Sequence, residues 1–337
     1  MKHPYSRTLI ELAVKRALKS IEDDPKRSIR NMVDLGAYFS GGRFQKRFLE
    51  KIQVMLKNEK SAYYKLVQDT VSNVAHERLL TFGMNLGYNS CTYGAKRIRE
   101  LEAAEGHNIP WAISVDIGSH GLQKTFNRYA SLVDEGEELG IYTWLFFMEE
   151  ERQGIWSLIE EHPDSAFVLF CESYILTTDF MNRVSEFNNV MLMVEYHASA
   201  SEICMQLRNR HLLYGVYYRY SAEDMNYIEN GDIWREMQQL HPVFSVLIAA
   251  SDCAPMIQKE IYDYVLKARE SQKYATIPWE WYFDHCYIDN IISEETCFMH
   301  FDQEGDLPAG SRILFHQSLK QILEMHFRKK TQKCDKK

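Results

Sequence analysis

The 337-residue chain lacks several features that would assign it to a common functional class. Its seven cysteines are scattered and none forms a CxxC pair, which indicates reduced thiols rather than a disulfide framework. There is no Rossmann glycine fingerprint, and Gly41 and Gly42 lack the preceding strand and the Lys-Ser/Thr pair of a P-loop. No apolar run approaches the length of a membrane span, and the N-terminus has no signal-peptide core. We therefore predict a cytoplasmic protein without a membrane partner.

Positive charge is also scarce. The 39 Lys and Arg residues are outnumbered by 47 Asp and Glu residues, which leaves a net charge of −8. This balance gives no general attraction to nucleic acid or to an anionic membrane, so we predict that the chain binds neither. With 45% hydrophobic residues, the chain can bury a large core and hold one barrel-sized domain plus a smaller one.

The spacing of apolar residues changes near residue 108. Residues 1–107 show helical periodicity, and from Asn108 short apolar runs alternate with helical stretches. The runs lie at 109–117, 141–148, 166–171, 190–196, 212–220, 243–249 and 276–282. Buried runs separated by helices predict an α/β fold, with a parallel sheet curled into a full or partial barrel. We predict three segments, with helices in 1–107, the barrel in 108–285 and a C-terminal hairpin, helix and basic tail in 286–337.

Three sequence phrases resemble those of a known family. Residues 106–117 are similar to the start of its first barrel strand, residues 161–180 to its third strand with the following helix, and residues 297–306 to its terminal hairpin. On these phrases the chain resembles the radical S-adenosylmethionine (SAM) family, in particular a bacterial subgroup with an N-terminal helical domain and a C-terminal SPASM-like segment. The resemblance covers most of the chain and implies a partial (β/α) barrel of the radical SAM type.

The family's cluster and SAM motifs are missing. Where the family has CxxxCxxC after the first strand, residues 118–124 contain no cysteine, and none occurs between Cys91 and Cys171. A [4Fe–4S] cluster that binds SAM needs three thiolates on one loop. Residues 147–152 stand in place of the Gly-Gly-Glu-Pro motif, and residues 171–174 in place of the Thr-Asn-Gly turn. The resemblance therefore implies a degenerate member in which SAM binding is possible and a [4Fe–4S] cluster is not expected.

Candidate site residues follow from the strand ends, because ligands of parallel sheets bind at the carboxyl edge. The barrel-mouth candidates are Asp116, His120, Glu149, Glu172, Glu195, His197, Asp252 and Asp284. Carboxylates and imidazoles at such a mouth can hold a divalent metal, and the weak candidates for that role are Glu195, His197, Asp284 and His285. An auxiliary iron–sulfur cluster normally needs four thiolates, and the candidates Cys253, Cys286 and Cys297 are only three, far apart in sequence and without a CxxC pair. The alternative is that they are small buried side chains.

Three hypotheses follow from this sequence. The first is a binding or accessory protein without catalysis, whose partner is an active radical SAM homologue, a peptide or a small molecule. The second is an enzyme that keeps the barrel and uses SAM without a cluster, or a divalent metal at the mouth. The third is a radical SAM enzyme with an atypical iron–sulfur cluster assembled from remote thiols.

Overall fold

The computed structural model describes residues 5–21, 23–39, 43–118, 126–293, 295–302 and 317–328. Within these ranges the chain starts with helices and then alternates strands with helices. The N-terminal helices are α1 (Tyr5–Ile21), α2 (Pro25–Phe39), α3 (Arg43–Met55), α4 (Ala62–Asn73), α5 (His76–Met84) and α6 (Ala95–Glu105), with a π-helical segment (Asn85–Gly94) between α5 and α6.

The strands and the helices between them form the larger part of the chain. The strands are β1 (Ile113–Ile117), β2 (Thr143–Met148), β3 (Ala166–Cys171), β4 (Val190–Glu195), β5 (Tyr214–Tyr220), β6 (Phe244–Ala249), β7 (Ile277–Glu280) and β8 (Met299–Phe301). The helices are α7 (Phe126–Leu139), α8 (Gln153–Glu161), α9 (Thr178–Val184), α10 (Ala200–Asn209), α11 (Met225–Glu229), α12 (Asp232–Met237), α13 (Pro255–Ser271), α14 (Trp281–Ile292) and α15 (Leu319–His326).

The eight described strands form one parallel sheet in the order β7-β6-β5-β4-β3-β2-β1-β8, curled into a half-barrel. The predicted α/β partial barrel with N-terminal helices is confirmed. Strands β3 and β4 are buried almost throughout, because helices cover one face and the sheet's own curvature encloses the other. The last strand, β8, pairs in parallel with β1 rather than with β7.

Register places one row of side chains on the concave face of the sheet. Asp116 of β1 is paired with Phe147 of β2, which is paired with Phe170 of β3. Residues in register on parallel strands point to the same side. Trp281 at the start of α14 contacts Phe147 and Phe170 edge-on, with ring centroids 5.1 and 5.0 Å apart. Helix α14 therefore packs on the concave face and fills part of it.

The N-terminal helices have a small core of their own. Leu18, Ile21, Ile29, Val33, Leu56, Tyr64 and Val71 form a cluster distinct from the main core. Phe82 of α5 and Ile98 of α6 instead belong to the main core of the barrel. A bidentate ion pair between Arg208 of α10 and Asp69 of α4 adds a polar link between the two parts. No helix among the described residues is both long enough and apolar enough to cross a bilayer.

Three local predictions were wrong. The strand expected at 276–282 ends at Glu280, because the Glu280 carboxylate accepts a hydrogen bond from the Phe283 amide at 2.7 Å and starts α14. The helix expected at 228–240 is interrupted at Gly231, whose φ is 74°. Residues 85–94, expected to begin with a connector, continue α5 as a π-helical segment. The cap predicted at the start of α9 is confirmed, since Thr177 Oγ1 accepts from the Phe180 amide.

Candidate functional site

The concave face holds an open cavity of about 890 Å³. It extends from the carboxyl ends of β1, β5 and β6 to the end of α15. Its walls are mostly aromatic, with a few polar groups. The lining residues are Asp116, Phe147, Arg219, Ile248, Ala249, Ser251, Trp281, Tyr282, Phe298, His300, His326 and Phe327. A concave, largely apolar space with a few convergent polar groups is the usual form of a ligand site.

One polar group of the cavity is a series of three side chains in contact. Ser114 Oγ lies 2.8 Å from His300 Nδ1, and His300 Nε2 lies 3.3 Å from Asp116 Oδ2. If the Ser114 hydroxyl donates to Nδ1, the imidazole carries its proton on Nε2 and directs it at Asp116. Ser114 is completely buried. It is therefore inaccessible as a nucleophile, and its hydroxyl contacts the His300 ring instead.

A second polar group of the cavity is the guanidinium of Arg219. It lies over the rings of Phe147 and Tyr217, 5.9 Å from each centroid. Among the described residues it has no ion-pair or hydrogen-bond partner, and its side chain is exposed. Phe147 also stacks on Phe170 at 4.4 Å, so the cation lies against a rigid aromatic wall. Such a cation is available to a ligand's carboxylate or phosphate.

Of the predicted mouth residues that the structure describes, only Asp116 lines this cavity. Glu149, Glu172 and Glu195 follow or end their strands as predicted and form an acidic rim near the exposed Tyr174. Loss of hydration and these carboxylates raise the pKa of the Tyr174 hydroxyl. The rim is thus the negatively charged edge of the mouth, beside the cavity rather than within its lining.

The remaining mouth candidates lie in varied surroundings. His197 has both ring nitrogens engaged, with Ser173 Oγ at Nε2 and with the Ser199 hydroxyl 2.9 Å from Nδ1. Asp252 is exposed after β6. His120 lies outside the described residues. Glu195 and His197 therefore do not form a metal site with Asp284 in the part of the chain that the structure describes.

Asp284 and His285 lie on helix α14 and not in a loop after β7. Asp284 is 1% exposed, and its two oxygens accept from the Arg269 guanidinium at 2.9 and 2.5 Å. His285 stacks on Trp111 at 5.5 Å, and its Nδ1 lies 2.5 Å from the Trp281 carbonyl oxygen. Burial lowers the pKa of His285 to about 4. Both side chains have structural partners where the sequence suggested metal ligands.

The candidate cluster thiols are buried separately. Cys253, Cys286 and Cys297 are 6%, 8% and 1% exposed, and they form no common group among the described residues. Burial raises the pKa of Cys286 to about 11 and that of Cys297 well above its usual value. Iron and zinc bind the thiolate form, which burial disfavours here. The geometry agrees with the alternative interpretation of these residues as small core side chains.

Sequence reasoning omitted the cavity residues on β8 and α14. His300 lies in the phrase that resembles the family's terminal hairpin, so no signal marked it as part of the mouth. Trp281 and Tyr282 belong to an aromatic run, and such runs are typical of core packing. Arg219 was recognisable as a strand-end residue of β5. That it has no partner among the described residues could be seen only in the structure.

A buried carboxyl behind the mouth predicts a pH dependence of stability. Glu280 is fully buried, its Oε1 accepting from the Tyr220 hydroxyl at 3.1 Å, and burial raises its pKa to about 7. The unfolded-state pKa is about 4.3, so between these values the native state holds more protons. Stability should therefore fall as pH rises from about 4.3 to about 7. Glutamine at position 280 does not titrate. We therefore expect the free energy of unfolding of Glu280→Gln, relative to that of the wild type, to be higher at pH 8 than at pH 5 by on the order of 2 kcal/mol.

Urea unfolding at the two pH values measures this difference. The exposed Glu160 on α8 supplies the control, since Glu160→Gln makes the same chemical change in solvent and should leave the pH slope unaltered. Equal pH slopes for Glu280→Gln and the wild type would show that Glu280 is ionised in the native state at neutral pH.

Comparison with known proteins gives a likeness of fold. No protein-family model matches the sequence, and no curated protein matches it. Similar solved structures include SuiB of Streptococcus suis bound to S-adenosylmethionine, with 8% identity over 68% of this chain and 66% of that chain and a TM-score of 0.48. SuiB bound to the precursor peptide SuiA gives 8% identity, 68% and 67% coverage and a TM-score of 0.47.

A third SuiB structure covers more of the chain. It matches 92% of this chain and 81% of its own, at 6% identity and a TM-score of 0.46. In the SAM-bound comparison, this chain spans just under two thirds of the SuiB length. These likenesses concern the fold alone.

Proposed function

We propose that this protein is a catalytically degenerate radical-SAM-like protein that binds a zwitterionic small molecule or a peptide in the concave cavity. The observation that carries the proposal is one cation and one anion along a single aromatic wall. Arg219 lies 5.9 Å from the Phe147 centroid, and the ring of His300, which contacts Asp116, lies 6.0 Å from the same ring. A ligand seated on this wall meets opposite charges at its two ends.

The chemistry of these groups defines the ligand class. Arg219 suits a carboxylate, which a guanidinium binds through two parallel hydrogen bonds. Asp116 accepts from an ammonium or hydroxyl group, and a flat apolar group packs on Phe147 and Trp281. SAM carries a carboxylate, an ammonium and a purine, so it belongs to this class. A peptide would present its terminal carboxylate to Arg219 in the same way.

The residues of this chain do not fit the family's [4Fe–4S] cluster. Residues 118–124, which follow β1, contain no cysteine. Cys171 at the end of β3 is fully buried, and burial raises the pKa of its thiol. Cys253 after β6 is 6% exposed, and its pKa is raised in the same way. Neither thiol favours the thiolate that a cluster requires, and we derive no radical chemistry for this chain.

Titration of iron-free protein with SAM tests the proposal by calorimetry. We expect saturable binding at one site, and we expect Arg219→Met to weaken it at least about tenfold, since a hydrogen bond to a charged group contributes about 1.5–3 kcal/mol. Arg183→Met is the matched control. Arg183 is on α9, where it pairs with Glu186 at 2.5 Å and does not line the cavity.

Three results would overturn the proposal. The first is that Arg219→Met binds SAM as tightly as the wild type does. The second is that neither SAM nor methionine binds saturably. Either result would show that the ligand class assigned here is wrong. Anaerobic reconstitution with iron and sulfide tests for the third. About four irons and four sulfides per chain would show that a cluster forms after all.

An enzymatic alternative is favoured by one observation. His300 Nε2 and Asp116 Oδ2 are 3.3 Å apart, which is close to the spacing of two neighbouring ligands on one divalent ion. The pair could supply two ligands of a metal that activates water for hydrolase or lyase chemistry. Stoichiometric manganese or zinc that is lost in His300→Gln would support this alternative over the binding protein.

A further inference from the structure

We propose that Glu105, His107 and Glu324 form a second site, which binds one zinc ion where α6 meets α15. One nitrogen or oxygen atom from each side chain lies within 4.8 Å of the others. Among the described residues this is the one group of three or more such side chains close enough to share an ion. The site is separate from the concave cavity, whose lining includes none of the three.

The buried imidazole of His107 is the main observation that indicates a bound ion. His107 is 1% exposed, and neither ring nitrogen has a hydrogen-bond partner among the described residues. Buried polar groups in proteins are nearly always satisfied, so an imidazole with both nitrogens unbonded requires an explanation. A metal ion at Nε2 supplies the missing partner, because neutral imidazole is a common zinc ligand.

The carboxylate of Glu105 points in the same direction. Its Oε2 is also buried without a hydrogen-bond partner and lies 3.6 Å from His107 Nε2. That separation is slightly too long for a hydrogen bond and suits two ligands that each lie about 2.0–2.2 Å from one ion. The other oxygen, Oε1, is held by Lys320 Nζ at 2.7 Å, which fixes the carboxylate while leaving Oε2 free.

The third ligand comes from the C-terminal helix. Glu324 is exposed on α15, so its carboxylate can turn toward the ion without leaving a buried position. One imidazole and two carboxylates leave a fourth tetrahedral position for water. Nitrogen and oxygen ligands of this kind suit zinc better than magnesium or calcium, which prefer oxygen alone.

The site lies where the C-terminal helix α15 meets the segment between α6 and β1. The backbone of His107 pairs with that of Arg328, and the Asn108 amide donates to the Phe327 carbonyl oxygen at 3.0 Å. Zinc bound by Glu105, His107 and Glu324 would fasten α15 to the segment that leads into the barrel. The inferred role is therefore structural, since a metal that binds only the folded chain stabilises it.

Zinc titration of tag-free, chelator-treated full-length protein tests the site. We expect one zinc per chain by calorimetry, a rise in melting temperature on zinc addition, and visible cobalt bands when Co²⁺ replaces zinc. His107→Gln and Glu324→Gln should each weaken zinc binding at least tenfold. Glu324 is exposed, so its variant stays folded even if His107→Gln does not. Glu100→Gln is the matched control, because Glu100 is an exposed carboxylate on α6 that pairs with Lys96.

Two outcomes would overturn the assignment. Absence of saturable zinc binding would do so, as would zinc binding that Glu324→Gln and His107→Gln leave unchanged. If His300→Gln removes the zinc and Glu324→Gln does not, the ion is in the concave cavity and the site proposed here does not exist. Loss in Glu324→Gln alone locates it at α15, whatever the cavity binds.

Discussion

Replacing Asp284 with alanine is expected to destabilise the protein by about 3–5 kcal/mol, since it leaves a buried guanidinium without its counter-charge. Arg269 is 16% exposed and Asp284 1% exposed. The Asp284 carboxylate also accepts from the Glu280 amide at 2.8 Å, at the junction of β7 and α14. Its removal therefore leaves two groups without their hydrogen-bond acceptor, the Arg269 guanidinium and the Glu280 backbone amide at the start of the helix.

Urea unfolding at neutral pH measures this loss. Asp263→Ala is the matched control, because Asp263 is exposed on α13 and its loss should change stability by no more than about 0.5 kcal/mol. The double variant Arg269→Met with Asp284→Leu should recover much of the stability, as replacing both members of a buried pair often does. Wild-type stability in Asp284→Ala, with loss of a bound metal, would instead support the role as metal ligand that the sequence suggested.

The placement of Asp284 shows where sequence reasoning reaches its limit. Residues 276–282 read as one buried strand, which put Asp284 at a strand end and hence at the mouth. The strand stops earlier because the Glu280 side chain caps the helix. This cap depends on the hydrogen bonds that Glu280 accepts from the Tyr220 hydroxyl and the Phe283 amide. An aromatic run is compatible with strand or helix, and only the tertiary partners decide between them.

The barrel itself was predictable for a simple physical reason. Strands buried on both faces are continuous apolar runs, and helices between them carry the 3.6-residue period. The runs at 166–171 and 190–196 match β3 and β4 within one residue at each end. Asp116 was found because the end of a parallel strand is recognisable from its sequence. These predictions needed only local patterns.

The partners of Asp116 and the candidate zinc site required long-range pairing. His300 reaches Asp116 because β8 lies beside β1, although 181 residues lie between Ile117 and Met299 in the sequence. Similarly, His107 and Glu324 meet because α15 returns to the start of the barrel. No periodicity in a single sequence encodes which distant segments become neighbours. The carboxylates at the strand ends were therefore recognisable from the sequence, while the cavity beside them was not.

The same limit applies to the π-helical segment, where a second large effect is expected. Gly94 ends this segment against the turn after α7. A Cβ added at Gly94 would lie 2.1 Å from the Gly140 carbonyl oxygen and 2.8 Å from that of Asn89. Both atoms belong to backbone, so neither can move aside as a side chain would. Gly140 has a φ of 101°, and its own Cβ would lie 2.7 Å from the Gly94 carbonyl oxygen.

We therefore expect Gly94→Ala to destabilise the protein by about 3 kcal/mol or more, at the upper end of overpacking effects. Urea unfolding again gives the measurement, with Gly83→Ala as control. Gly83 is an exposed residue of α5 whose added Cβ would meet nothing within 4 Å. Its replacement should stabilise the helix by about 0.5–1 kcal/mol, because alanine is the better helix former. Opposite signs for the two variants would show that backbone contact, rather than helix propensity, selects glycine at position 94. Equal stability of Gly94→Ala and the wild type would mean that the two backbones do not approach this closely.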